Sequence, residues 1–243
     1  MAEPDLAPPA PYLRSFGQVA LLDHEVVPGR TGVAGAGAPL LLLHGLEDDR
    51  NRLRFLSDAL CSEGQIALLP TLRDHPPSPA PTWGYSPLDY AADVHRLTDV
   101  LPSPAHVIGY SYGALVGLVH AAVMGPARVR SLVLLDQSLE RRPQRIEGGE
   151  WAESSFLKWE YDYTHLLDML TAAGIPVLMV VPRDSHVIPE SERAALLARR
   201  HPLFSCVLMD GAHADVVRPD GPVTAVIEEF YAQYCPLPLE EER

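Results

Sequence analysis

Short, mainly apolar runs recur along this chain with longer segments between them. Leu40–Leu43, Ile66–Leu69, Ala105–Ile108, Leu132–Leu135, Val177–Val181 and Phe204–Met209 each have the length of a strand and little polar alternation. A strand with one wet face alternates, whereas one covered on both faces reads as a continuous apolar run. Gln18–Val27 reads as an earlier strand at a sheet edge. The intervening segments carry helical signals. Ser86-Pro87-Leu88-Asp89 supplies an N-cap serine, a proline at the first helical position and an acid three residues after the cap. Tyr90, Val94, Leu97 and Leu101 then recur at helical spacing until Pro102 and Pro104 end the run. Tyr112–Met124, Phe156–Leu170 and Val223–Tyr234 read as further helices. Strands alternating with helices predict an α/β fold, with a mainly parallel central sheet covered by helices on both faces.

Composition narrows the function. The 243 residues have room for one large domain, and 47% hydrophobic residues can supply its core. A net charge of −13, with Lys158 as the single lysine, excludes nucleic acid as an expected partner, because phosphate binding needs clustered cations. Cys61, Cys206 and Cys235 fit no metal-ligand spacing and read as reduced, buried thiols. No run reaches the roughly 18 apolar residues of a membrane span, and Met1–Tyr12 lacks the basic start of a secretory signal. The expectation is a soluble cytoplasmic protein with neither nucleic acid nor a membrane as its partner. It would have a flexible tail over 1–12 and a domain over 13–235. The sequence leaves its oligomeric state open.

The chemistry concentrates in Ala105-His106-Val107-Ile108-Gly109-Tyr110-Ser111-Tyr112-Gly113-Ala114, where a strand runs through Gly-x-Ser-x-Gly straight into a helix. A serine on so tight a turn is lifted clear of the sheet. The residues two places to either side, Gly109 and Gly113, lie too near the turning backbone to carry a Cβ.

These motifs resemble the α/β-hydrolase superfamily, and within it the compact branch of serine esterases, lactonases and cofactor-free haloperoxidases. The resemblance runs from about Gln18 to Tyr234. It implies an α/β-hydrolase fold with Ser111 as nucleophile. Leu40-Leu41-Leu42-Leu43-His44-Gly45 resembles the strand ending in His-Gly, which implies an oxyanion hole formed by the backbone N–H groups of Leu46 and Tyr112. Val177–Pro189 resembles the penultimate strand and acid loop, which assigns Asp184 as the triad acid, with Asp136 as the alternative. Val207–His213 resembles the last strand and its histidine loop, which assigns His213 as the base. His165, His186 and His201 read as surface or structural residues. The implied activity is hydrolysis of an ester, lactone or thioester of a small to medium apolar small-molecule substrate through an acyl-enzyme, with no metal or organic cofactor needed. The alternative is a non-hydrolytic member of the fold, a lyase, cyclase or small-molecule binder. Members that form an alkyl-enzyme ester on an aspartate do not match, since position 111 is serine.

Two segments depart from the family pattern. Pro70–Pro77 replaces a glycine-rich signature, and Leu46-Glu47-Asp48-Asp49-Arg50 is unusually charged for an oxyanion loop. Asp48 and Asp49 read as the cap and first turn of the next helix. From 138 to 174 there is room for only a minimal cap: a loop over Arg141–Glu150 and one helix, bearing Trp151, Phe156, Trp159, Tyr161 and Tyr163.

Overall fold

The computed structural model describes residues 19–29, 37–81, 84–98, 101, 104–141 and 161–235. Seven strands form one sheet: β1 (His24–Pro28), β2 (Leu40–Leu43), β3 (Ile66–Pro70), β4 (Ala105–Tyr110), β5 (Val129–Leu135), β8 (Val177–Pro182) and β9 (Phe204–Met209). Their spatial order is β1-β3-β2-β4-β5-β8-β9. The edge strand β1 runs antiparallel to β3, and every other pairing in the sheet is parallel. A separate two-stranded ladder, β6 (Glu140–Arg141) with β7 (Tyr161–Asp162), is antiparallel.

The apolar runs are explained by what lies on each face. Leu41, Leu43, Val107, Leu132, Leu134, Met179 and Val181 point to one side. There they meet α2 (Pro87–Thr98), α3 (Tyr112–Met124) and α4 (Thr164–Ala172). Leu40, Leu42, Ile108, Val133, Leu135, Leu178 and Val180 point to the other. That side is covered by α1 (Arg54–Leu60) and α6 (Val223–Tyr234). Alternate residues of one strand thus enter opposite cores, and the polar pair buried on two central strands, His106 and Ser131, is satisfied by a mutual hydrogen bond at 2.7 Å.

Several elements have the bounds that the periodicity indicates: β2, β9, α3 and α6. The cap of α2 forms as expected, with the Ser86 N–H donating to Asp89 Oδ2 at 3.0 Å. Three differences stand out. β1 begins at His24 rather than Gln18, and residue 18 itself is outside the described residues. The helix expected over Phe156–Leu170 is observed as Thr164–Ala172: Tyr161–Asp162 form β7 instead, and residues 156–160 fall outside the described residues. The sequence reading omitted α5 (Glu190–Ala198), whose Glu190 and Glu192 sit in its first turn, where helix polarity favours acids. Arg141, the first residue of the expected loop Arg141–Glu150, pairs in β6, while the rest of that loop, the expected tail over 1–12 and the aromatics Trp151, Phe156 and Trp159 lie outside the described residues.

The unusual segment after β3 is anchored by burial of charge. Arg73 is 2% exposed, and its guanidinium donates to both carboxylate oxygens of Asp93 at 2.6 and 2.7 Å. Asp93 also accepts from the Ala20 N–H at 2.6 Å. Removing one partner of such a pair would leave an uncompensated buried charge, so the pair fixes where residues 71–79 run.

Candidate active site

The site assembles at the carboxyl ends of β4, β5 and β9, where an open parallel sheet leaves strand ends facing a crevice. Ser111 follows β4 immediately and precedes α3. Its backbone has φ 51° and ψ −128°, a region that side-chain-bearing residues rarely enter. The turn is held by its N–H, which donates to the Leu135 carbonyl at 2.9 Å. The two flanking glycines are sterically required. A Cβ on Gly109 would come 2.3 Å from the Gly113 carbonyl oxygen, and one on Gly113 would come 2.2 Å from the Leu43 carbonyl oxygen.

His213 lies just beyond β9, after the turn at Gly211, which has φ 105°. Its Nε2 is 3.1 Å from Ser111 Oγ, and its Nδ1 is 2.7 Å from Asp136 Oδ2. A carboxylate only accepts, so Nδ1 carries the hydrogen and Nε2 offers a lone pair to the serine hydroxyl. Asp136 is wholly buried, whereas the His213 side chain is 19% exposed. A hydroxyl, an imidazole and a carboxylate are therefore joined in one relay.

The acid expected at Asp184 is corrected by this geometry, which brings the alternative, Asp136, to the imidazole. The reason lies in how two strands end. β5 stops at Leu135, and Asp136 turns sharply out of it with φ 48°, its N–H held by the Val180 carbonyl at 2.9 Å. After β8 the chain continues alongside its neighbour. Arg183 and Asp184 donate to the carbonyls of Met209 and Gly211 at 2.8 and 3.0 Å, and Asp184 is exposed. The neighbouring Ser185, which the sequence did not single out, reaches the site instead. Its hydroxyl lies 2.8 and 2.9 Å from the two Asp136 carboxylate oxygens and accepts from the Val187 N–H at 3.1 Å.

Two further side chains bear on the base. Tyr110 stacks on the imidazole, with centroids 4.8 Å apart and planes 25° apart, and its hydroxyl donates to the His213 carbonyl at 3.3 Å. Burial pushes this phenol above its usual value, so it stays protonated. His186, expected to be a surface or structural residue, is exposed and sets its ring edge-on to His213 at 5.6 Å. His165 and His201 are exposed. The x positions of Gly-x-Ser-x-Gly were the only sequence signal for Tyr110, and nothing in the pattern distinguished Ser185.

The loop after β2 passes directly over the nucleophile. A methyl group on Gly45 would sit 3.0 Å from Ser111 Cβ and 3.1 Å from an Asp48 carboxylate oxygen. Leu46, the expected oxyanion donor, is therefore the next residue along from the serine's immediate neighbour. Tyr112, the other, is the first residue of α3, where the helix presents its positive end. Asp49 caps the following turn as expected, accepting from the Asn51 N–H at 2.7 Å. Asp48 does not belong to that cap. It lines a cleft of about 340 Å³ with Leu46, Glu47, Asp74, His75 and Pro76. Burial raises its carboxyl above the ordinary value, against the pull of Arg52, whose Nε is 3.6 Å away. Among the described residues there is no group of three or more His, Cys, Asp or Glu side chains that could hold a metal ion. Nor is any described helix long and apolar enough to cross a membrane. Cys61, Cys206 and Cys235 are unbridged.

A buried strand feeding a serine into an imidazole–carboxylate relay, on a mostly parallel sheet with helices on both sides, defines a class of protein. A family model described as the alpha/beta hydrolase fold matches residues 38–144. The chain belongs to the α/β-hydrolase superfamily. A relative named epoxide hydrolase, from Caballeronia sordidicola, is 34% identical over 193 residues, which is 75% of this chain. The chain spans 58% of that relative's length. Among solved structures, a thermophilic esterase from Thermogutta terrifontis superposes with a TM-score of 0.66 at 21% identity, covering 88% of this chain and 94% of the esterase. A thioesterase domain from the curacin biosynthetic pathway gives 0.61 at 16% identity, covering 87% of this chain and 99% of that domain.

Proposed function

We propose that this protein is a serine hydrolase that cleaves an ester, lactone or thioester of a small to medium apolar substrate through an acyl-enzyme on Ser111. The observation that carries the reading is the relay itself: Ser111 Oγ at 3.1 Å from His213 Nε2, and Nδ1 at 2.7 Å from a wholly buried Asp136.

In the first half-reaction His213 Nε2 takes the hydroxyl proton as Ser111 Oγ bonds to the carbonyl carbon. Charge gathers on the carbonyl oxygen, where the Leu46 and Tyr112 N–H groups receive it. A donor of this kind lowers the barrier by about 3 kcal/mol. The C–O or C–S bond to the leaving group then breaks, and the imidazolium returns its proton to the departing alcohol or thiol. In the second half His213 deprotonates water, the hydroxide attacks the acyl carbon, and Ser111 leaves with the proton restored. Asp136 keeps the imidazole in the tautomer both halves require.

The name of the Caballeronia relative raises epoxide opening as the rival chemistry. An enzyme that opens an epoxide covalently needs a carboxylate at the elbow, because the resulting ester has a carbonyl that water can attack. Serine oxygen opening the same ring would leave an ether, which a histidine base cannot release. The residue at 111 therefore favours acyl transfer.

Incubation with a fluorophosphonate probe should label wild-type protein at Ser111 and leave Ser111→Ala unlabelled, folded and inactive on a panel of short esters, lactones and thioesters. Turnover of an epoxide but of no acyl substrate, or labelling that survives in Ser111→Ala, would remove the proposal.

A further inference from the structure

Two hydrogen bonds do not hold an imidazole still. Those at His213 Nδ1 and Nε2 fix the line that joins the two nitrogens. The ring can still roll about that line. A roll swings the Nε2 lone pair, which lies in the ring plane, away from Ser111 Oγ. A third contact, against the face of the ring, is needed to set the plane. With the His213 side chain 19% exposed, the core around it supplies only part of that restraint.

Tyr110, the last residue of β4, makes that contact. It is buried, and its ring lies 4.8 Å from that of His213 with the planes 25° apart. A near-parallel pair at this spacing resists tilting of either ring. It still lets each slide in its own plane, the motion the base needs to carry a proton from Ser111 Oγ to the departing atom. The Tyr110 hydroxyl also donates to the His213 carbonyl at 3.3 Å, so one side chain holds both the ring and the backbone of the base. The phenol is held in turn by Arg52, whose guanidinium carbon lies 5.8 Å from the ring centroid and whose Nε is 3.6 Å from Asp48 Oδ1. We propose that Tyr110 is the positioning residue of the base: its ring face sets the plane of the His213 imidazole, and with it the aim of Nε2. Because Tyr110 adjoins Ser111 in the chain, base and nucleophile take their places from the same turn. The inference rests on the reading above, in which His213 is the base of an acyl transfer.

The ring face and the hydroxyl can be separated by substitution. Tyr110→Phe keeps the face and loses the hydroxyl, whereas Tyr110→Leu keeps an apolar side chain and loses both. If the face sets the plane, Tyr110→Leu loses about 100-fold in kcat with KM changed less than about twofold, as a small misplacement of a catalytic group costs. Tyr110→Phe then loses about fivefold or less, the cost of one neutral hydrogen bond. Labelling by fluorophosphonate should slow in the same order. Equal losses in the two variants would place the effect in the hydroxyl and overturn the proposal. A lowered urea midpoint in Tyr110→Leu with wild-type kcat would mark Tyr110 as core filling alone, which also overturns it. The carbon-bound ring protons of His213 in wild-type protein supply a test that needs no variant to fold. An aromatic face at this spacing moves them upfield, and proton shifts equal to those of a free imidazole overturn the assignment. Failure of the serine reading is distinguishable, because it leaves wild-type protein unlabelled by fluorophosphonate whatever the Tyr110 variants do.

Discussion

The segments that follow β5 and β8 begin alike and end in opposite circumstances. Each leaves an apolar strand and meets an aspartate within two residues: Asp136 directly after Leu135, and Asp184 two places after Pro182. Asp136 swings out of its strand into a left-handed backbone conformation and is buried against His213. Asp184 stays tied along the extension of β9 and is exposed. A strand-ending carboxylate is therefore not enough to reach the imidazole. The backbone must break from the sheet at that residue, and a donor must wait for the charge. Ser185 makes the contrast sharper, since the segment without the acid sends a hydroxyl to the carboxylate of the segment with it.

The strongest way to break this comparison is to neutralise each aspartate in turn. Asp136→Asn keeps the shape and tolerates the positive φ but loses the charge, and kcat should fall about ten-thousand-fold. Asp184→Asn should stay within about twofold, as exposed substitutions generally do. Steady-state kinetics on one ester that reversed this order would return the acid to the β8 segment. A smaller effect separates the hydroxyl from the carboxylate it serves. Ser185→Ala removes a charge-assisted hydrogen bond, and kcat should drop about tenfold while Ser185→Thr keeps most of the activity. Equal loss in both variants would mean that the packing of residue 185 matters and its hydroxyl does not.

The smallest effect lies behind the β5 segment. Glu192, on α5, accepts from the Leu139 N–H at 2.6 Å and from the Ser138 hydroxyl at 2.5 Å, pinning the chain just past Asp136. Burial raises the Glu192 carboxyl above its usual value. A raised acid binds its proton more tightly in the folded than in the unfolded state, so its stability contribution grows as pH falls through the folded value toward the unfolded one near 4.5. The margin of wild type over Glu192→Gln in urea midpoint should therefore widen with acidification through that window. A margin that is flat or narrows would show that the burial of Glu192 has been misjudged.

Much of this molecule could be read from its residues, and the reasons are local. Ser111 is marked because an elbow that bends at φ 51° excludes side chains at 109 and 113, which leaves two glycines at fixed spacing. His213 is marked because it follows a strand that ends in Met209 after a glycine turn. The acid was assigned to Asp184 by resemblance, and local sequence could not correct that choice, because both candidates follow apolar strands. Which one turns inward depends on where the neighbouring strand stops, a property of register and not of either segment. The direct abutment of Asp136 on the run Leu132–Leu135, with no intervening residue, was the one local hint. Asp48 was misread for a related reason. Its sequence position suits a helix cap, but Asp49 takes the cap and leaves Asp48 to face the cleft. α5 was missed because its first turn is charged and it buries only Glu192 and Leu196, too little for a visible stripe.

The short ladder of Glu140–Arg141 against Tyr161–Asp162 has a consequence for how the chain beyond the acid is held. It brings the chain back to the point from which it departed, four residues after the buried acid and well before the strand that leads to the histidine. With the Tyr163 N–H on the Leu139 carbonyl at 2.9 Å, the ladder holds the chain that leaves the buried carboxylate at a fixed place by backbone bonds of its own, separate from those that join Asp136, His213 and Ser111.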